Sequence, residues 1–381
     1  MPLCATQEAL LSSLKQESLR LQKEKNSLES DVLEFNWINP ILGSYTDLTS
    51  DQLGFANKTR TYAITLEQPI FKSGGIYYAM KYANANRAFL ELSVALEEKG
   101  LLKEAMNAIL QLNKSKKQLE KQQYLVANAR IDVMRKKEQF ERGLLDSSFL
   151  DQALLSLNTH EKVLLDLEAS IQIQSTRFAA VSDLDPLHVS LPMYEVMNEK
   201  RYTEHSLALA KQQAQVKRNE HLKALMITSY LPTLSFVGGY YKTDNDVISK
   251  AHNEYVSYGL KLSMPLYDIN HAKNIEIRKL EYLQSKVLLE DTRRAEKNFY
   301  LNTIQQLEIL DKKIVLSKKD ATQYDSLLHN TKEGLIAGDK TIYDVQTLEN
   351  SYHAIVLESS VLSYEKQLLL LELYTKVSGE I

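Results

Sequence analysis

Alternating apolar and polar residues mark a stretch beyond the middle of the chain as a pair of strands. Between Tyr255 and Met264 the apolar residues occupy nearly every second position, which is the period of a half-buried strand. The preceding run from Leu234 to Tyr241 is aromatic and glycine-rich, and the polar sequence KTDND follows it. The pattern predicts a hairpin with strands at about 233–243 and 254–265, with one apolar and one polar face.

A weaker hairpin pattern lies in the first half of the chain. It predicts strands at about 38–47 and 58–69, separated by a polar loop. Prolines bracket both hairpins, at Pro40 and Pro69 and at Pro232 and Pro265, where a missing backbone N–H is tolerated. The nearly equal spacing of the two pairs predicts two copies of one unit, at 1–185 and 193–381, joined by a linker at 186–192.

Helical patterns fill most of the remaining chain. The predicted helices cover about 7–35, 76–142, 150–180, 193–229 and 271–330, and a last helix runs to the C-terminus. These spans lack internal proline, which would cost about 3 kcal/mol inside a helix. Gly143 and Gly338 are predicted helix reversals. In the last helix the apolar residues follow a three-four spacing, which is typical of coiled-coil packing. The predicted fold class is mainly α with a small antiparallel β part, arranged as two repeats of helix, strand, strand, long helix and helix.

Composition narrows the possible functions. The 381 residues carry a formal net charge of −3, which argues against a general nucleic-acid binder. The single cysteine, Cys4, excludes an intrachain disulfide framework. No run approaches eighteen consecutive apolar residues, so a transmembrane helix is not expected, whereas a membrane strand needs only about 9 to 11 residues. The N-terminus has no signal-peptide pattern, which is expected either after removal of that peptide or in a cytoplasmic protein.

Candidate chemistry is sparse. The eight histidines are scattered and share no metal-ligand spacing, so no metal site is expected. The string GLIAGDKT, from Gly334 to Thr341, lacks the spacing of a phosphate-binding loop. No catalytic constellation is present, so neither an enzyme nor a cofactor is expected. Trp37, just ahead of the first strand, fits a membrane interface or a shielded helix end equally well.

Several short motifs together resemble the TolC-type outer-membrane efflux proteins. They are the strand openings at Pro40 and Pro232, the strand exits QPIF and MPLY, the reversals at Gly143 and Gly338, and above all the sequence AGDKTIYDV from Ala337 to Val345. The resemblance spans the chain from Gln7 to the C-terminus. Each motif is weak alone, but their order and duplicated spacing are specific.

The resemblance implies an assembly, a location and partners. In that family three protomers each contribute four strands to a twelve-stranded barrel in the outer membrane of Gram-negative bacteria. Their helices form a long tunnel through the periplasm. The family exports drugs or proteins passively, coupled to an inner-membrane transporter through a periplasmic adaptor, in tripartite efflux or type I secretion. Four strands cannot close a barrel, and lipid forbids an open sheet edge, so the sequence also favours oligomerisation. This agrees with the homotrimer in contact with outer-membrane lipid that the resemblance implies.

The resemblance also places a gate at the helix reversals, which form the closed end of the family's tunnel. Lys340 matches a basic gate position, Asp344 an acidic one, and Asp151 the acidic position of the first repeat. Leu335 stands where some members have a tyrosine, and Thr347 where an inner acidic ring would continue. Local helix stabilisation is the alternative role for these charged residues.

Two further alternatives concern the chain as a whole. A soluble coiled-coil scaffold would explain the helices, but not two proline-bracketed amphipathic hairpins. Some family members carry a lipid on an N-terminal cysteine. Cys4 follows Leu3 but no apolar segment, which favours an unmodified residue over a lipid anchor.

Overall fold

The structure, a computed structural model, describes residues 10–52, 55–186, 188–189, 191–245 and 253–379. Cys4 and two residues of the predicted linker, Leu187 and Ser190, lie outside the described residues. The described helices and strands are α1 (Ser13–Phe35), β1 (Leu42–Gln52), β2 (Phe55–Phe71), α2 (Gly75–Glu141), α3 (Ser147–Ala179), α4 (Glu199–His205), α5 (Leu207–Thr228), β3 (Thr233–Asn245), β4 (Asn253–Ser263), α6 (His271–Ala337) and α7 (Ile342–Tyr374).

The two halves of the chain have similar element orders, except that two helices, α4 and α5, precede the strands in the second half where α1 alone does so in the first. The long helices α2 and α6 have 67 residues each, and α3 and α7 have 33 residues each. In the described part of the chain, no helix is both long enough and apolar enough to cross a membrane.

The predicted continuous helix at 193–229 is wrong. The chain at 191–198 has no regular secondary structure, and the helical part is divided at Ser206, whose backbone is extended. Ser206 forms an isolated antiparallel bridge with Val377, supported by hydrogen bonds from Leu207 N to Lys376 O (2.9 Å) and from Ser378 N to His205 O (2.8 Å). Pairing with the C-terminal segment therefore overrides the local helical preference.

The first hairpin also differs from its prediction. β1 begins at Leu42 and continues to Gln52, and β2 begins at Phe55, so most of the predicted polar loop is strand. This polar stretch is a strand because its backbone pairs with β2: Thr46 and Thr49 lie opposite Thr61 and Lys58 in the ladder. Once its backbone is paired, a polar strand is stable.

The four prolines that bracket the predicted hairpins differ in their positions relative to the strands. Pro40, Pro232 and Pro265 lie just outside strands. Pro69 lies inside β2, at a shift in the register with β3 between Pro69 and Phe71. Such an irregularity accommodates a residue that cannot donate to the ladder.

The chain forms two compact units that do not coincide with the two halves of the sequence. Unit 1 contains residues up to Arg20, Ala95–Leu207 and Arg294–Ile381, and unit 2 contains Leu21–Val94 and Ala208–Arg293. The unit boundaries fall within helices, and each unit draws on both halves of the chain.

Unit 1 is helical, and its core joins α2 to α7. Buried side chains include Met106, Ile109 and Leu112 of α2 and Leu370 and Leu371 of α7. Ion pairs border this seam at Lys121–Glu358 (2.5 Å), Lys114–Glu365 (2.9 Å) and Lys103–Glu372 (2.5 Å). The α7 partners recur every seven residues, so one stripe of α7 faces α2 along its length, as in coiled-coil packing.

Unit 2 contains the sheet. Its four strands are antiparallel in the order β1-β2-β3-β4, so β1 and β4 form the edges. The central pair β2–β3 joins the two halves of the chain through twelve residue pairs, from Thr59–Asn245 to Phe71–Leu234.

Candidate functional site: a two-faced sheet and the helix reversals

The register determines which strand residues share a face of the sheet, because opposite residues in antiparallel strands project to the same side. One row across the sheet is Gly43, Ile64, Tyr240 and Val256, and the next is Ser44, Ala63, Tyr241 and Tyr255. We call the face of Ile64 and Val256 the apolar face and that of Ser44 and Ala63 the polar face.

The apolar face is uncovered. Its exposed fractions are 82% at Tyr258, 67% at Leu260 and 73% at Leu262. The six residue steps from Val256 to Leu262 span about 20 Å along a strand, a large part of the apolar band of about 25 Å in membrane barrels. A contiguous exposed apolar face of this kind marks a surface that contacts an apolar partner or lipid.

Aromatic and charged residues follow the apolar face toward the hairpin ends. The rings of Tyr45 and Tyr62 contact each other, with centroids 4.9 Å apart. Farther toward the hairpin end on the same face, Asp47 pairs with Lys58 at 3.2 Å. This order, from apolar through aromatic to charged, is the order found from the bilayer interior through its interface to water.

The polar face borders a cavity. Thr65, Glu67, Tyr241, Ser257 and Lys261 contribute to its lining, and its volume is about 620 Å³. Lys261 Nζ donates to both carboxylate oxygens of Glu67 at 3.0 Å. The polar face therefore borders a space lined by hydroxyl groups, one ion pair and apolar side chains such as Leu42 and Val237.

The two predicted reversals share one geometry. Gly143 has φ +70° and Gly338 has φ +84°, a region that favours glycine. Gly143 N donates to Phe140 O (2.9 Å) and Leu144 N to Gln139 O (2.8 Å), while Gly338 N donates to Leu335 O (3.2 Å) and Asp339 N to Gly334 O (2.9 Å). Each glycine thus closes its helix in a Schellman motif, which satisfies carbonyl groups that the helix end leaves unpaired.

Asp344 is held by groups of its own protomer. Its carboxylate accepts from Thr341 N (2.9 Å) and Thr341 Oγ1 (2.8 Å), while Asp344 N donates to Thr341 Oγ1 (3.2 Å), forming a capping box at the start of α7. Arg135 of α2 pairs with the other carboxylate oxygen at 3.1 Å. The backbone N–H of Thr341, followed by its hydroxyl, lowers the pKa of Asp344 below its ordinary value.

The structure brings only two of the three predicted gate residues together. Lys340 and Asp344 line one cavity of about 300 Å³ together with Arg135. Asp151 does not line it and is exposed on α3. The helix predicted at about 150–180 begins earlier, at Ser147, because its N-cap is Asp146, whose carboxylate accepts from Ser148 N at 2.9 Å. Asp151 therefore lies inside α3 and not at its start.

Sequence reasoning missed a buried polar cluster in unit 1. Glu296 of α6 accepts a hydrogen bond from Tyr202 of α4 and another from Lys376 Nζ at 2.9 Å. Tyr202 is fully buried, and burial followed by this hydrogen bond raises the pKa of its hydroxyl. Lys376 Nζ also lies 3.8 Å from the ring centroid of Phe299. No local sequence pattern signals the cluster, because its members lie far apart in the chain.

The described residues contain no group of three or more histidine, cysteine, aspartate or glutamate side chains arranged to hold a metal ion. No protein-family model matches the sequence, and no curated protein does either.

Solved structures are similar over nearly the whole chain. The outer membrane channel CmeC of Campylobacter jejuni has a TM-score of 0.78 at 12% identity, with 98% of this chain and 85% of that chain covered. The outer membrane protein VceC of Vibrio cholerae has a TM-score of 0.77 at 15% identity, with 97% and 95% covered. The open state of the MtrE outer membrane channel of Neisseria gonorrhoeae has a TM-score of 0.68 at 12% identity, with 97% and 87% covered.

These likenesses define the class of fold, which is that of outer-membrane channels. More particularly, the long paired helices and the small antiparallel sheet form the TolC-type fold, so the predicted class, mainly α with a small antiparallel β part, is confirmed.

Proposed function

We propose that this protein is a passive exit duct in the outer membrane of a Gram-negative bacterium. The observation that carries the proposal is the four-stranded sheet with one exposed apolar face, one polar face and two free edges. In lipid the free backbone groups of β1 and β4 must be paired, which only closure into a barrel achieves. Its likeness to solved outer-membrane channels supports the same assignment.

The proposed assembly is a homotrimer. Three copies of a four-stranded sheet give a barrel of about twelve strands, which is large enough to leave a lumen lined by the polar faces. The helices also expose apolar side chains suited to a second copy. In unit 2, Leu21, Leu28 and Phe35 recur every seven residues on α1 with exposed fractions of 52%, 59% and 57%. A stripe of this spacing fits a neighbouring helix in coiled-coil packing.

The helices of the trimer would line a tunnel in the periplasm. A periplasmic adaptor would connect this tunnel to an inner-membrane transporter that supplies the energy. The proposed cargo is drugs or proteins, as in tripartite efflux or type I secretion. The alternative of a soluble coiled-coil scaffold leaves the apolar face of the sheet exposed to water, which is unfavourable by about 25 cal/mol for each Å².

Fractionation and mass measurement test this proposal. The protein, directed to the periplasm, is expected in the outer-membrane fraction. In mild detergent its protein mass is expected to be three times the chain mass of 43.6 kDa. A folded monomer in the soluble fraction would instead identify the scaffold.

We further propose that Lys340, Asp344 and Asp151 contribute to a gate at the reversals. Repeated by threefold symmetry, modest exposed ion pairs can hold a constriction shut. The double variant Lys340→Gln, Asp151→Asn should raise single-channel conductance in planar bilayers without lowering trimer yield.

The control for the gate is the partly exposed pair Lys366–Asp311, whose 2.6 Å contact joins α7 to α6. Its double variant Lys366→Gln, Asp311→Asn should leave the conductance at the parental level. If the gate variant also keeps the parental conductance but loses thermal stability, the three residues only stabilise the helix ends.

A further inference from the structure

Charge on the polar face of the sheet is confined to one ion pair. Within the described strands, Glu67 and Lys261 are the only charged residues whose register places them on that face. The other charged strand residues all fall on the apolar face, toward the hairpin ends: Asp47, Asp51, Lys58, Arg60, Lys242, Asp244 and Glu254.

The ion pair spans three strands. Glu67 belongs to β2 and Lys261 to β4, with β3 between them. Ser235 of β3 lies opposite Lys261 in the ladder and is only 2% exposed. The two charged side chains retain about half their exposure, 46% at Glu67 and 51% at Lys261. The pair therefore lies on the surface of the sheet, where it can act on solutes in the adjoining space.

We propose that Glu67 and Lys261 set the charge selectivity of the barrel lumen, an inference that rests on the proposed function. Together the two charges cancel at distances longer than their separation, so the polar face of the described strands has no net charge. Such a wall admits cargo of either charge sign. Loss of one partner would leave one uncompensated charge per protomer, repeated around the same lumen in the trimer.

A cysteine at Gly259 can report the electrostatic potential beside this pair. Gly259 lies on the polar face in the row of Glu67, and an added Cβ would meet nothing within 4 Å. The natural Cys4 is replaced by serine, which leaves Gly259→Cys as the only thiol. Outer-membrane vesicles are treated with two ethyl methanethiosulfonate reagents, one cationic (trimethylammonium) and one anionic (sulfonate). The ratio of the two rates at which they modify the thiol reports the local electrostatic potential.

The expected changes have opposite signs for the two partners. Lys261→Gln should raise the ratio of the cationic to the anionic modification rate about threefold, and Glu67→Gln should lower this ratio about threefold. This size is expected because the remaining unit charge lies several ångströms from the thiol and is screened by water and salt in the lumen. The double variant Glu67→Gln, Lys261→Gln should return the ratio to within about twofold of the parent. The exchanged pair Glu67→Lys, Lys261→Glu should do the same.

A matched ion pair on the apolar face is the control. Asp47→Asn and Lys58→Gln break the pair at 3.2 Å and should leave the ratio unchanged. If Lys261→Gln and Glu67→Gln both lower thermal stability but leave the ratio of modification rates at the parental value, the ion pair only stabilises the packing of the strands. The inference is then overturned.

A second reporter separates this outcome from a failure of the proposed function. Leu260→Cys lies on the apolar face and should resist both membrane-impermeant reagents in the assembled protein. If it reacts as fast as Gly259→Cys, the apolar face does not contact lipid, and the outer-membrane assignment itself fails.

Discussion

Leu260→Lys tests which face of the sheet contacts lipid. Leu260 lies midway between Val256 and Met264 in the apolar run, is opposite Phe236 in the register and is 67% exposed. A lysine near the bilayer midplane should cost about 2–4 kcal/mol. Ser257→Lys is the matched change, on the same strand but on the polar face. Because its ammonium group would remain in water, it should cost less than about 1 kcal/mol.

Folding into lipid vesicles measures this difference. A cost of 2–4 kcal/mol corresponds to roughly a 30- to 900-fold change in the folding equilibrium constant. Denaturant titrations of the two variants and the parent give these constants, and the yield of trimer on semi-native gels gives an independent check. Equal losses for Leu260→Lys and Ser257→Lys would refute the face assignment. A larger loss for Ser257→Lys would mean that the faces are reversed.

Two further predictions concern unit 1. The hydrogen bonds from Thr341 lower the pKa of Asp344 below its ordinary 3.8, so its stabilisation is present above that value and is lost as the pH falls toward the lower folded pKa. Asp344→Asn should therefore flatten the fall of the thermal midpoint below about pH 4, and an unchanged pH profile would contradict this. Glu296→Ala should destabilise the fold by about 2 kcal/mol, because the buried Tyr202 hydroxyl and the Lys376 ammonium lose their acceptor. Denaturant midpoints should show the loss, whereas an effect no larger than that of exposed Asp311→Ala would mean that the cluster contributes little.

Local patterns predicted the main elements of the fold. The alternation of apolar residues located β4, and the aromatic, glycine-rich run located β3, each to within two residues at each end. Alternation is informative because successive side chains of a strand project to opposite faces. Gly143 and Gly338 have positive φ, a backbone preference that is a property of the residue itself. The division into two repeats and the gate roles remain predictions.

Tertiary contacts decided what these patterns could not. β1 extends through a polar stretch because β2 supplies its backbone partners, and α4 and α5 are separate helices because the C-terminal segment pairs with Ser206. The partner of Asp344 is Arg135, 209 residues away, and that of Glu67 is Lys261, 194 residues away. Propensity and periodicity act over a few residues, whereas an ion pair depends on which distant elements pack together. The sequence alone thus determined most of the strands and the long helices. The tertiary structure decided where β1 ends, where α4 and α5 divide, and which charges meet.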